Sequence, residues 1–355
     1  MFKGAICVKG SPHIALDATY SIGDALSGVG LYSQEMLQGL AAGYPEVQFD
    51  FCYRPHRYFR ARGLAMPPNA RRRLLLEPLV PRGADLFHGL NQRLPRLPYL
   101  RAIATFHDLF VMTGEYSTAD FRARFTEQAR DAAARADAII AVSEFTKSQV
   151  VSLLGVEAAR VYVVHHGIRQ LPASAATVAR EPVILSVGAI QKRKNIARLV
   201  EAFEGLDGGW QLVLAGSNGY GAEEILARIA ASPARNRIQV TGYISPAQLA
   251  KWYASASIFA FPSQDEGFGM PVLEAMAAGI PVVTSDRSAL PEVSGDAALM
   301  VDPESTEALR TALRDLTINV ELRGELARRG IERARMFTWD KAVRETWDVY
   351  RKVLG

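Results

Sequence analysis

The stretch Glu266-Gly267-Phe268-Gly269-Met270-Pro271-Val272-Leu273-Glu274 decides how this chain is read. Two carboxylates flank a Gly-X-Gly loop. Ahead of them, Ile258-Phe259-Ala260-Phe261-Pro262 is apolar and predicts a strand. Behind them, Pro271 opens an apolar helix that closes at Ala277-Ala278-Gly279, before Pro281. Proline belongs at a helix start and glycine just past a helix end, so both boundaries are legible. The result is a strand, a glycine loop and a helix N-terminus whose N–H groups suit an anionic phosphate. Glu266 in the loop and Glu274 in about the first turn can bracket a ligand seated there. A carboxylate accepts two hydroxyls, as from a sugar or a ribose. The pattern suits a molecule with sugar at one end, nucleoside at the other and phosphate between. The plainer alternative is an ordinary βα turn with solvated carboxylates, and the helix signals in register argue against it.

The chain has 355 residues, more than one ordinary core holds and suited to two domains. With 49% apolar residues it can bury globular cores, and no apolar run approaches the roughly 18 residues of a membrane span. Met1 to Gly10 has no long apolar region, so no secretory signal is expected and the predicted location is cytoplasmic. Two cysteines, Cys7 and Cys52, point to a reducing compartment, and no zinc-ligand spacing occurs.

The formal charge of +4 is small but unevenly placed. Residues 1–168 carry 19 Lys+Arg against 15 Asp+Glu, and the remainder is balanced. Phe51 to Arg73 holds Arg54, Arg57, Arg60, Arg62, Arg71, Arg72 and Arg73 with no acid, interleaved with Tyr53, Tyr58 and Phe59. That segment reads either as a solvated basic face or as a patch for anionic lipid head groups or a phosphorylated acceptor, peripheral at the inner membrane face. No nucleic-acid recognition motif accompanies the charge, so nucleic acid is not an expected partner.

Apolar runs alternate with helical segments in both halves. The first half gives Phe49-Tyr53, Leu86-His88, Ala102-Phe106, Ala138-Val142 and Val161-Val164. The second gives Val183-Val187, Leu212-Ala215, Ile238-Thr241, Ile258-Phe261 and Val282-Thr284. Buried strands alternating with helices imply parallel sheets, and two such series imply two doubly wound α/β domains. The expected boundaries are 1–168, a linker at 169–180, and 181–338. A last helix, at about 339–355, is expected to dock back on the first domain through Trp347, Tyr350 and Leu354.

With those residues in view, the chain resembles the retaining glycosyltransferases of family 4, in their bacterial mannosyltransferase-like branch. Glu266 to Glu274 looks like that family's Glu-X7-Glu motif. Gly28-Val29-Gly30-Leu31-Tyr32 resembles its N-terminal glycine loop, and Thr105-Phe106-His107-Asp108 its active-site histidine segment. Ala141-Val142-Ser143-Glu144-Phe145 is similar to its serine and helix start, and Val164-His165-His166-Gly167-Ile168 to the strand entering its linker. Gly188 to Asn195 resembles its basic phosphate loop.

The resemblance implies a GT-B fold, two Rossmann-like domains facing a cleft. It implies that Arg193 and Lys194 meet the donor diphosphate, although Ala189 stands where many members have an arginine. It assigns Glu266 to the donor sugar and Glu274 to the ribose. The main chain of Gly267, Phe268, Gly269 and Met270 approaches sugar and phosphate, Val272 belongs to the same donor set, and Tyr243 and Ile244 lie at the base. His107 is expected to act with Glu266, Arg193 and Lys194 in catalysis. Gly30 and Ser143 complete the donor set. Gly28, Val29, Gly30 and His88 are placed at an acceptor or phosphate loop.

The implied reaction moves a hexose, mannose from GDP-mannose, to a hydroxyl of a growing lipid-linked polysaccharide or O-antigen. Configuration is retained, with the nucleotide sugar as co-substrate and no cofactor or metal. The alternatives are a UDP-hexose donor, a phosphorylase or epimerase on the same fold, and a non-catalytic nucleotide-sugar binder.

Overall fold

A computed structural model describes residues 11–23, 26–77, 83–96, 100–168 and 179–355. The chain divides into two compact units. One takes the chain up to Met112, Ala119–Gly167 and Thr338–Gly355; the other takes Thr113–Thr118 and Ile168–Phe337. Most of the predicted linker, residues 169–178, lies outside the described residues, as does Cys7. Its last residue, Arg180, belongs to the second unit and donates to the carbonyls of Ala256 at 2.6 Å and Tyr253 at 3.3 Å.

The first unit is a seven-stranded sheet of β1 (His13–Asp17), β2 (Gln48–Tyr53), β3 (Ala70–Leu74), β4 (Leu86–Gly89), β5 (Ala102–Phe106), β6 (Ala138–Ala141) and β7 (Val161–Val163). The order is β3-β2-β1-β4-β5-β6-β7, and every pair is parallel. Side chains alternate between two buried faces. Leu16, Phe49, Ile103 and Ile140 pack under Met36, Leu40 and Tyr350. Ala15, Phe87, Ala104 and Ile139 pack under Ala129, Ala132 and Val150. Apolar residues on both faces are what a sheet sandwiched by helices requires.

The helix Trp339–Leu354 closes this unit against the helix Gly28–Gly43. Tyr44 stacks on Trp347 with ring centroids 4.0 Å apart. A Cβ on Gly39 would lie 2.5 Å from Val343 Cγ2, so glycine permits the close approach of the two helices.

The second unit is a six-stranded parallel sheet of β8 (Glu181–Val187), β9 (Gln211–Ala215), β10 (Ile238–Gly242), β11 (Ala256–Phe261), β12 (Val282–Ser285) and β13 (Ala298–Val301). The order β10-β9-β8-β11-β12-β13 reverses between β8 and β11. In the first unit it reverses between β1 and β4. Ligands of such sheets bind beyond the carboxyl ends of the strands where the order reverses. In the second unit that criterion selects the turn after β8, residues 188–195, and the turn after β11, residues 262–269.

Candidate active site

Those two turns meet. After β8 the chain makes a short 3-10 turn, Lys192–Lys194, before the helix Ile196–Glu204. Asn195 joins them in a left-handed conformation (φ 58°), and its amide donates to the carbonyls of Pro262 at 3.1 Å and Pro303 at 2.7 Å. The Gln264 N–H donates to the Arg193 carbonyl at 2.9 Å. The β8 turn is therefore tied to the β11 turn by the main chain before any charge is counted.

Charge then converges on one carboxylate. Glu266 Oε1 lies 2.6 Å from Lys194 Nζ, 2.8 Å from Arg193 and 2.6 Å from the Ser263 hydroxyl, which donates to it. Arg193 also donates to the Asp265 carbonyl. Lys194 Nζ sits 4.5 Å from the centre of the Phe261 ring, a cation–π contact. All three charged side chains are largely buried, at 8% (Arg193), 12% (Lys194) and 10% (Glu266) exposure. Burial alone would raise the Glu266 pKa. The charges of Arg193 and Lys194, with their hydrogen bonds, outweigh it and hold the pKa at about 2. Glu266 is thus a carboxylate at any working pH and has no proton to give as a general acid. Next to it, Asp265 shifts the other way. Burial raises its pKa, against the hydrogen bond from Thr113 at 2.9 Å and the charge of Arg193.

Beyond Glu266 the loop turns through Gly267 and Phe268, whose ring packs edge-on against Phe337. Gly269 has φ 110° and caps the helix Met270–Ala277. A Cβ there would lie 2.7 Å from Leu290 Cδ2, a side-chain tip able to shift, so it is the backbone conformation that calls for glycine. Met270 opens the helix and Pro271 follows as its second residue. Val272 departs from expectation, because its N–H already donates to the Gly269 carbonyl at 3.0 Å and its side chain is core. It contributes packing, not a ligand contact. Glu274 lies one turn into the helix and accepts the Tyr253 hydroxyl at 2.9 Å. At the end of β10, Tyr243 is 57% exposed and Ile244 half-buried. An exposed ring there is open to a planar partner.

The other assigned residues belong to the first unit. His107, at the end of β5, is buried, with Nε2 2.9 Å from the Leu90 carbonyl and Nδ1 3.3 Å from His166 Nε2. Nε2 therefore carries the proton, and Nδ1 accepts from His166. Burial lowers its pKa to about 4, against the raising effect of the Leu90 bond, so it is neutral at neutral pH. His88 corrects the sequence expectation. It is fully buried, with Nδ1 2.6 Å from the Tyr350 hydroxyl and Nε2 2.8 Å from Thr105 Oγ1. Both nitrogens are satisfied inside the core, which makes it a packing group and not an acceptor contact. Burial, with the His107 charge, lowers its pKa to about 3.

The expected glycine loop is also different in form. Gly28, Val29 and Gly30 are the first three residues of the helix Gly28–Gly43, capped by Ser27, which accepts the Gly30 N–H at 3.3 Å. A Cβ on Gly30 would lie 2.8 Å from the Tyr20 carbonyl, so that glycine serves a close approach of main chain. The Val29 carbonyl accepts the Ser33 hydroxyl. Ser143 is fully buried and caps the helix Glu144–Leu154 by accepting the Thr146 N–H at 3.0 Å. Of the basic segment, Arg71 and Arg73 reach the buried Asp50, Arg54 lies 3.6 Å from Glu77, and Arg72 donates to the Leu64 carbonyl. Much of that charge is spent on internal pairs.

Known proteins share both sequence and fold with this chain. Residues 168–335 match the family described as "Glycosyl transferases group 1", and residues 29–169 match "Glycosyltransferase Family 4". The O-antigen chain mannosyltransferase B of Escherichia coli is 32% identical over 284 residues, covering 75% of this chain and 74% of that protein. The chain belongs to glycosyltransferase family 4.

A second relative in sequence is the GDP-mannose:cellobiosyl-diphosphopolyprenol alpha-mannosyltransferase of Komagataeibacter xylinus. It is 27% identical over 208 residues, covering 56% of this chain and 53% of that protein. Among solved structures, sucrose-phosphate synthase from Thermosynechococcus elongatus superposes with a TM-score of 0.78 at 22% identity, covering 96% of this chain and 98% of the other. The fold of this glycosyltransferase is GT-B, two Rossmann-like parallel-sheet domains, and no described helix is long and apolar enough to cross a membrane.

Sequence reading missed Ser263, Tyr253, Asn195 and Ser288, the groups that hold the charged residues in place. Ser263 was within reach, since it stands three residues before Glu266. The others act across 21 to 108 residues of chain, with no local signal.

Proposed function

We propose that this glycosyltransferase moves mannose from GDP-mannose to a hydroxyl of a growing, lipid-linked glycan, with retention of configuration and without a metal. The observation that carries the reading is the match to an O-antigen chain mannosyltransferase along most of both chains. The relative whose name specifies GDP-mannose supports the base. The site geometry supports the chemistry.

Arg193 and Lys194 are two fixed cations at the switch point, suited to a diphosphate that gains charge as the sugar leaves. They and the N-terminus of the helix Met270–Ala277 supply the countercharge that a divalent cation would otherwise give. Glu266 Oε1 is taken by three donors, so Oε2 is the oxygen a sugar hydroxyl would meet. As a fixed anion, Glu266 orients the sugar and stabilises positive charge developing on its ring. Glu274, oriented by Tyr253, receives ribose hydroxyls, and Tyr243 stacks on the base. His107, neutral, contributes polarity without charge.

No side chain in this scheme attacks the sugar. The leaving diphosphate takes the acceptor's proton, the new glycosidic bond forms on the face where the old one breaks, and the protein supplies position and charge. Contact with an anionic membrane rests on Arg57, Arg60 and Arg62, which lie in or beside the short helix Pro55–Ala61 with Phe59 and Leu64 exposed.

A thermal-shift panel of GDP, UDP, ADP, GDP-mannose and UDP-glucose, with and without magnesium, tests the donor, because a ligand of the folded state raises its stability. Stabilisation by GDP and GDP-mannose without magnesium is expected. A preference for UDP compounds would move the donor to another hexose, and silence towards every nucleotide would sink the reading.

A further inference from the structure

Among the described residues two non-glycines have left-handed backbone, Asn195 (φ 58°) and Ser288 (φ 57°), and both border the Glu266 loop. Such a conformation is unfavourable for a residue with a side chain and persists where its surroundings fix it. For Ser288 the fixing contacts are visible. Its hydroxyl donates to the Arg287 carbonyl at 2.6 Å and accepts the Glu266 N–H at 3.1 Å. The next N–H, of Ala289, donates to the Glu266 carbonyl at 3.2 Å. One turn therefore takes both polar groups of the Glu266 main chain. The same turn ends at Leu290, the side chain that a Cβ on Gly269 would strike. Arg287 anchors it from outside through Asp302 at 3.0 Å and Glu304 at 2.7 Å. The turn thus holds the loop by hydrogen bonds at its start, Glu266, and sets Leu290 beside its end, Gly269. Glycine would adopt this backbone without strain, so the backbone alone does not call for serine.

We propose that Ser288 is a positioning residue for the sugar end of the donor. Its hydroxyl fixes the Glu266 peptide and so aims the carboxylate at the sugar. This rests on the donor reading given above, and the test separates the two.

The variants are Ser288→Gly and Ser288→Ala in the full chain. Both remove the hydroxyl, and only glycine relaxes the backbone, so the Tm of Ser288→Gly is expected above that of Ser288→Ala. Without any ligand, amide exchange at Glu266 should quicken in both variants; unchanged exchange would overturn the proposal. Calorimetry then compares GDP-mannose with GDP, which lacks the sugar. One lost hydrogen bond predicts about a three- to tenfold weaker GDP-mannose affinity in both variants, with GDP within about twofold of wild type. A purely structural role predicts equal losses for the two ligands, or none in the more stable Ser288→Gly, and either result would overturn positioning. If wild type takes UDP-glucose and UDP instead, the donor reading fails while the same ratio, measured on that pair, still judges Ser288. A wild type that binds no nucleotide sugar defeats both.

Discussion

The turns around Glu266 and the histidines at the ends of β4 and β5 are both buried at the carboxyl ends of parallel strands, yet they hold opposite kinds of polarity. Around Glu266 burial is answered by two cations, and the carboxylate stays ionised with a pKa near 2. Around His88, His107 and His166 burial is answered by hydroxyls, a carbonyl and other imidazoles, and all three pKa values fall. Desolvation penalises the charged form in both places, and the neighbours decide whether charge survives. The Glu266 turns of the second unit keep fixed charge, whereas the histidine cluster of the first is neutral and tightly bonded.

Removing the central charge breaks the comparison most directly. Glu266→Gln keeps the shape, loses the anion and removes the ion pairs that Arg193 and Lys194 make with it. Transfer is expected to fall by about a hundredfold or more, the scale seen when a preorganised electrostatic group is lost. Steady-state kinetics with GDP-mannose would check this, and near-normal turnover would remove Glu266 from the mechanism. Lys194→Ala should weaken GDP and GDP-mannose alike, by about ten- to a hundredfold for a charge-assisted contact. A loss confined to GDP-mannose would place Lys194 at the sugar and not at the diphosphate.

Acid should separate the two regions by pH window. Unfolded imidazoles titrate near 6.5, whereas folded His88 and His107 titrate near 3 and 4. The unfolded chain therefore binds more protons as pH falls below 6.5, and stability drops through that window by roughly 2–3 kcal/mol per imidazole by pH 4.5. The Glu266 contribution is present above the ordinary carboxylate range. It is lost only as pH falls from about 4.5 towards the folded value near 2. A denaturation series should show His88→Leu with a flatter slope between pH 6.5 and 4.5. At pH 7 that variant should be less stable by about 1–3 kcal/mol, because Tyr350 and Thr105 lose their partner. Glu266→Gln should alter the profile chiefly below pH 4.5. Identical profiles for the two variants would erase the distinction.

The same contrast explains what the sequence disclosed. The Glu266 loop is local: strand, glycines, proline and carboxylate lie within twenty residues, so its form is legible. The histidine core is not. His88 ends a strand and reads as a ligand contact, because its partner Tyr350 lies 262 residues away in the last helix. Three strands escaped notice. β1 is short and bounded by His13 and Asp17. β13 is short and largely uncovered at the edge of its sheet. β3 is Ala-Arg-Arg-Arg-Leu, which reads as a basic patch until Asp50 on β2 is seen to receive Arg71 and Arg73. An edge strand tolerates and even favours such charge. The Gly28-Val29-Gly30 segment looks like a loop because glycine is a poor helix former, yet Ser27 caps the helix there and Gly30 makes room for the Tyr20 carbonyl.

The smallest expected effect tests the ribose end. Tyr253 is buried, and its hydroxyl gives Glu274 a fixed hydrogen bond at 2.9 Å. Tyr253→Phe keeps the ring in the core, so the fold should survive with a Tm change of a few degrees, as about 1 kcal/mol implies. Glu274 would remain but lose its orientation. Because Tyr253 acts through Glu274, and Glu274 is assigned to the ribose, the variant should raise KM for GDP-mannose about three- to tenfold with kcat nearly unchanged. A 2′-deoxy or 3′-deoxy ribose in the donor should abolish most of the difference between variant and wild type, since the contact being aimed is then missing in both. A kcat loss at constant KM would instead place Glu274 beside the reacting sugar, and the division of labour between the two carboxylates would have to be redrawn.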